Sequence, residues 1–372
     1  MVLLPEPFAS IERTPLLFAT ASPLHPLPNL TRHVQSTTST TAQIWAKRED
    51  CSSGLGLGGN KIRKLEYVLP SALAEACDTL ISTGGVQSNH MRQVAAVGNH
   101  LGFKTVLVPQ MPESVSPSCS KSNEAFEHAG NVQINRILEA EYHTELANGT
   151  AITSPPALDE VAADIRAKGG KPYIISSGAS AHLHGGLGFA RWAFEVVEQE
   201  TALGVYFDTI VVPVASGGTL GGMIAGFKMA DALRQASGAE ADEVSEPRRR
   251  SRDIIGIDTY NKPHGVLEAT VLEIAQRTAG LIGLGSDAVR ADDVILDTRY
   301  NAGQHTAWDR HAANGVKLMA GKEGIVTDPI YSGRAIGAIL HHAALGELNG
   351  REHVLFVHTG GQAALSAFSG MR

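Results

Sequence analysis

Short apolar runs ending in small or polar residues recur along this chain, with helical patterns between them. They read DTLISTGG (78–85), KTVLVPQ (104–110), KPYIISSG (171–178), DTIVVPVASGG (208–218), DIIGIDTY (253–260) and HVLFVHTGG (353–361). A strand apolar on both sides must be covered on both faces, which is the setting of parallel strands joined by helices. QIWAKRED (43–50) reads as a further strand. Helices are expected over about Lys61–Ala76, Ser88–Gly102, Gly186–Glu198 and Thr219–Gln235. On the first of these, Leu65, Leu69 and Leu73 mark an apolar stripe at spacing four. The chain is therefore of the α/β class.

Its 372 residues allow one large domain or two smaller ones. A net charge of −7 and the lack of a basic stripe exclude a non-specific nucleic-acid binder. No segment reaches the roughly 18 apolar residues of a membrane span, and MVLLPEPFASIERTPLLF at the start lacks a basic, then apolar, leader pattern. Cys51, Cys77 and Cys119 form no close pair, so a reducing, cytoplasmic setting is expected, with Cys51 and Cys77 as packed thiols. Trp192 and Phe194 read as helix-packing residues. The polar segment 236–253 reads as a surface insertion whose RRR is solvated. The histidines at 182, 184, 341 and 342 lack an acidic or cysteine companion at ligand spacing, so no metal is expected.

In open α/β sheets ligands bind beyond the carboxyl ends of strands. Four strand ends carry unusual sequences: GGNK (58–61), GGVQSN (84–89), ASGGTLGG (215–222) and HTGG (358–361). Ser216, Gly217, Gly218, Thr219 and Leu220 could offer backbone and hydroxyl donors to a phosphate, although the loop is neither a Walker A nor a GxGxxG motif. Lys61 and Lys64 open a helix where the macrodipole disfavours cations, so they face either water or something negative. A lysine at a cleft can carry carbonyl chemistry, and a lysine plus a phosphate cradle is what pyridoxal phosphate (PLP) requires.

The blocks AKREDCSSGLGLGGNKIRKLEY, STGGVQSNHMRQVAAVGNHLG, KPYIISSGASAHLHGGLGF, PVASGGTLGGM, TDPIYSGRA and HTGGQAAL resemble, in order, the 1-aminocyclopropane-1-carboxylate deaminase / D-cysteine desulfhydrase family. The resemblance implies a fold type II PLP enzyme, a homodimer with PLP in a cleft between two domains. Each domain would be a mostly parallel twisted sheet with helices on both faces. Residues 73–176 would form the smaller domain, and 1–72 with 177–372 the larger. Lys61 would hold PLP, Lys64 and Ser216–Thr219 would line its phosphate, and Asn89 would contact its ring hydroxyl. Ser88 would be a substrate-side hydroxyl, with Gln87 and the N–H groups of Asn89 and His90 receiving a carboxylate. Tyr331 would lie beside the reacting amino acid.

This chain also departs from the deaminase pattern. Ser332 replaces the glutamate that follows the tyrosine, and Thr359 replaces a leucine. Both changes resemble the desulfhydrase-like members, and a hydroxyl holds less positive charge on the PLP ring than a carboxylate does. Alignment by spacing puts His305 at the place of a second active-site tyrosine, where it could act as an acid–base group. The expected activity is β-elimination from a small amino acid to a 2-oxo acid and ammonia. Ring opening of 1-aminocyclopropane-1-carboxylate, β-replacement and a non-catalytic PLP-binding role are the alternatives.

Overall fold

The computed structural model describes residues 2–110, 126, 128–143, 156–237, 252–303 and 307–371. His305, Cys119 and the RRR run lie outside the described residues. A six-stranded sheet runs in the order β1 (Leu24–Pro26), β2 (Gln43–Arg48), β10 (His353–His358), β7 (Thr209–Val214), β8 (Asp253–Asp258) and β9 (Ile295–Asp297). A four-stranded sheet runs β5 (Glu141–Tyr142), β4 (Lys104–Gln110), β3 (Thr79–Gly85) and β6 (Pro172–Ile175). Among the described residues every ladder is parallel except β1 on β2.

Side-chain alternation sorts the large sheet into two cores. Trp45, Ile210, Val212, Leu355 and Val357 face α6 (Leu187–Leu203), α7 (Gly218–Ala236) and α8 (Val266–Leu281). Ile44, Ala46, Val211, Val354 and Phe356 face α1 (Pro28–Thr37), α9 (Arg310–Glu323) and α10 (Ser332–Ala344). In the small sheet Leu80 and Ile175 meet α2 (Lys61–Ala74) and α3 (Asn89–Leu101). On its other face Ile81, Val106 and Val108 meet α5 (Pro156–Ala167); α4 (Asn131–Ile137) packs beside α3. Among the described residues no helix is long and apolar enough to cross a membrane.

The expected strands and helices fall where the apolar runs place them, with two corrections. The stripe of α2 buries Leu65, Leu69 and Ala72, whereas Leu73 is 44% exposed in the last turn. Cys51 is exposed rather than packed, its Sγ 3.5 Å from both Arg48 and Asp50. Trp192 is buried as expected and also donates its indole N–H to Glu49 at 2.9 Å.

That carboxylate belongs to a buried ion cluster that ties α2 to the large sheet. Arg63 of α2 meets Glu49 at 2.5 Å and Glu195 of α6 at 2.9 Å, and Lys47 meets Glu195 at 2.5 Å. Burial alone would raise the Glu195 carboxyl, but Arg63 and Lys47 outweigh it and hold it at about 2. Breaking a buried pair from one side leaves an uncompensated charge. Arg63→Met is therefore expected to lower stability by ~3–5 kcal/mol in urea denaturation.

Candidate active site

A cleft of about 730 Å³ opens where the carboxyl ends of β3, β6, β7 and β10 converge. Gly85 ends β3 and Val86–His90 follow it, Ser176–Gly178 follow β6, Ala215–Gly217 follow β7 and Thr359 follows β10, and all line it, with Lys61 of α2 facing in. The ladder between β10 and β7 stops at Phe356 and Val211, while each strand stays paired farther along with its outer neighbour. Pro213, which has no N–H to give a ladder, lies beyond that stop.

One end of the cleft gathers N–H and hydroxyl donors around a buried lysine. Lys64 is fully buried, and its Nζ donates to Gly178 O at 3.1 Å and Ser180 Oγ at 3.2 Å, both neutral oxygens. Burial first, and then the neighbouring Lys61 charge, push its amine well below the ordinary lysine value. Ser180 also bonds Ser216 at 2.7 Å and accepts from Gly218 N at 3.1 Å, at the start of α7. A Cβ on Gly218 would stand 2.6 Å from Ser180 Oγ and 2.9 Å from Lys64 Nζ, so only glycine lets the helix start approach the ammonium. Thr219 Oγ1 accepts from Asn60 Nδ2 at 3.0 Å, whereas the Leu220 side chain turns into the core and leaves only its main chain at this end. A buried cation beside a helix N-terminus, held by neutral groups, is a half-made site for an anion such as phosphate.

Lys61 stands at the centre. Its Nζ donates to Asn60 Oδ1 at 3.0 Å. Burial lowers its amine to about 8, with the Asp328 carboxylate pulling the other way. Asp328 is itself buried, and burial raises its carboxyl although it accepts the N–H groups of Ile330, Tyr331 and Ser332 at 2.7–2.9 Å. A lysine at about 8 is partly a free amine near neutral pH, as a carbonyl nucleophile or proton acceptor must be.

The start of α3 forms the opposite wall. Ser88 caps the helix by accepting from Met91 N at 3.2 Å, which uses a lone pair and not the hydroxyl proton. Asn89 Oδ1 accepts from Asn131 at 2.8 Å. His90 is buried, and burial followed by the Lys61 and Lys64 charges holds its imidazole at about 3, hence neutral. Gln87 lines the cleft, but its carboxamide is engaged with Phe126 O, Ala129 O and Asn131 N at 2.6–3.0 Å, fastening the neighbouring segment.

The fourth wall carries Tyr331, Ser332 and Thr359. Tyr331 lines the cleft, and burial raises its phenol. Ser332 lies just behind, its Oγ donating to Gly360 O at 2.7 Å and 3.3 Å from Thr359 Oγ1. Asn60, Ser180 and Asp328 complete the site without having been singled out from sequence. Asp328 alone left a usable signal, an acidic residue just ahead of a helix start in DPIYS.

A family model for pyridoxal-phosphate dependent enzymes matches residues 16–360. A 1-aminocyclopropane-1-carboxylate (ACC) deaminase of Burkholderia cenocepacia is 40% identical over 359 residues, 96% of this chain and 97% of the relative. Among solved structures, an ACC deaminase homologue superposes with a TM-score of 0.75 at 28% identity, covering 98% of this chain and 96% of the other. A cysteine synthase of Entamoeba histolytica gives 0.58 at 16% identity over 100% and 92%, a likeness of fold alone.

A lysine whose folded-state pKa lies below its unfolded one binds fewer protons in the native protein, so stability rises with pH between the two values. Lys64, Lys61 and Lys47 all act in this direction. The ligand-free protein is thus expected to melt higher as pH rises toward ~10. Lys64→Met should stabilise it by ~1–3 kcal/mol near neutral pH and flatten the rise, read by thermal denaturation in phosphate-free buffer.

Proposed function

The chain belongs to the pyridoxal-phosphate dependent enzymes, and we propose that it is an amino-acid lyase expelling a β-substituent from a small amino acid, with D-cysteine its test substrate. Cysteine and water would give pyruvate, ammonia and hydrogen sulfide. The residues present fit the cofactor, because the buried Lys64 amine at the start of α7 is one that an anion would hold protonated, and Lys61 supplies an amine within the same cleft.

When bound, PLP supplies an aldehyde for the amino group and an electron-withdrawing ring. Lys64, Ser180, Ser216 and the start of α7 would hold its phosphate. Lys61 would hold its aldehyde carbon and then accept the proton from the substrate Cα, Asn60 and Asp328 orienting and balancing the amine. The N–H groups at the start of α3 would bind the substrate carboxylate, with Ser88 able to donate beside them. Tyr331 and Phe126 would screen the reacting carbon from water.

The observation that carries β-elimination is the hydroxyl pair Ser332 and Thr359. With its proton directed to Gly360 O, Ser332 brings no negative charge to the wall where the deaminase pattern has a glutamate. A ring facing hydroxyls is a weaker electron sink, which suffices where a β-thiolate leaves on its own account. ACC ring opening is the second reading, favoured by the name of the 40% identical relative.

Purified protein is expected to show a borohydride-sensitive visible band that Lys61→Ala lacks. With D-cysteine, L-cysteine, D-serine and ACC compared, kcat/KM should be highest for D-cysteine and exceed that for ACC by at least ~10-fold. Ser332→Glu should narrow that ratio. A higher kcat/KM for ACC in the wild type would establish the second reading instead.

A further inference from the structure

The helix that carries Lys61 has no cap of its own. Asn60 stands at the N-cap position in a helical conformation and makes no capping bond, because its side chain already joins Lys61 Nζ to Thr219. The first N–H groups of α2 are met from another element. Gln93 of α3 accepts with one oxygen from Lys61 N at 2.9 Å and from Ile62 N at 3.1 Å. Its Nε2 donates to Asn89 O at 2.9 Å, which fixes which way the carboxamide faces. Gly59 makes room: a Cβ there would stand 2.7 Å from Gln93 Nε2, and its φ of +122° suits glycine. Next along α3, Arg92 donates to Gly56 O and, at 3.2 Å, to Gly58 O.

From this geometry we propose that Gln93 is a positioning residue that sets the separation between the reactive amine of α2 and the carboxylate-receiving start of α3. It rests on the function proposed above, in which an amino acid bridges those two groups. A substrate gripped at its carboxylate by α3 presents its Cα proton to Lys61 only if both helix starts keep one spacing. A single carboxamide touching the backbone of Lys61, Ile62 and Asn89 imposes it. Its oxygen also lies against the helix start from which the Lys61 side chain springs, so its charge bears on that amine.

The test uses the holoenzyme. Gln93→Leu removes the bridge, and misplacing reacting groups by about 1 Å can cost ~100-fold. The expected result is kcat lowered ~10–100-fold at unchanged PLP content, with a smaller change in KM. Gln93→Glu still accepts both N–H groups but opposes Asn89 O and adds a negative charge, so the pH midpoint of the visible band should move up by ~0.5 unit or more. Both variants keeping the wild-type kcat and midpoint, whatever their melting temperature, would overturn the proposal and leave Gln93 a structural residue. Should Gln93→Leu fail to fold, Gln93→Glu and the shorter Gln93→Asn decide it by the same two readouts. A wild type with neither band nor turnover would overturn the functional reading instead. Amide hydrogen exchange at Lys61 and Ile62 in Gln93→Leu then reads the clamp separately, and unchanged exchange there sinks it.

Discussion

The buried guanidinium of Arg63 is what the rest of the site hangs on. It lies between Glu49, at the end of β2, and Glu195 of α6, and so fastens α2 to the large sheet from below. Leu65, Leu69 and Ala72 of the same helix are packed against the small sheet. Thus α2 belongs to both units, and its Lys61 and Lys64 are carried to the line along which they meet. A surface ion pair could not do this, since its contribution would be a few tenths of a kcal/mol and its geometry loose. A buried cluster is costly to assemble and admits few arrangements, and here that selectivity aims a helix.

The cleft is electropositive by construction. Lys61 and Lys64 are placed beside the starts of α3 and α7, whose dipoles add to the same sign. Asp328 acts on Lys61, while Lys64 feels the Lys61 charge and, among the described residues, donates to the neutral oxygens of Gly178 and Ser180. The folded protein therefore carries electrostatic strain that an anion bound beside Lys64 would relieve, so affinity for such a ligand and ligand-free instability would have one source. Burial, and after it the two lysine charges, keeps His90 neutral, while burial against the pull of Asp328 sets the Lys61 amine at about 8.

Strands and principal helices could be read from sequence because apolar runs and glycine-rich ends are local signals. Motif residues at strand ends, Ser88, Asn89, Ser216 and Thr359, and at helix starts, Lys61, Lys64 and Tyr331, gather about the cleft, although GGNK follows 3-10 turns rather than a strand and the role of each residue is a separate matter. Asn60, Gln93 and Ser180 were not legible, since each acts through a partner more than thirty residues away. Leu73 misled because spacing four drifts off a helix face within a few turns, and Cys51 because a polar turn keeps it outside. Gln87 lines the cleft as its motif suggests, and the sequence did not show that its carboxamide is engaged with Phe126, Ala129 and Asn131.

The early end of the ladder between β7 and β10 has a thermodynamic consequence. Most clefts must be held open against the tendency of backbone to pair, yet here the unfastened seam is part of the strand register itself. Nothing need unzip when a ligand enters, and the loops at both rims keep partners of their own: Ser216 with Ser180, Thr359 with Ser332. The opening is thus a standing vacancy in the sheet rather than an excited state of it. Binding energy that another architecture would dissipate in prising strands apart remains here for the chemistry.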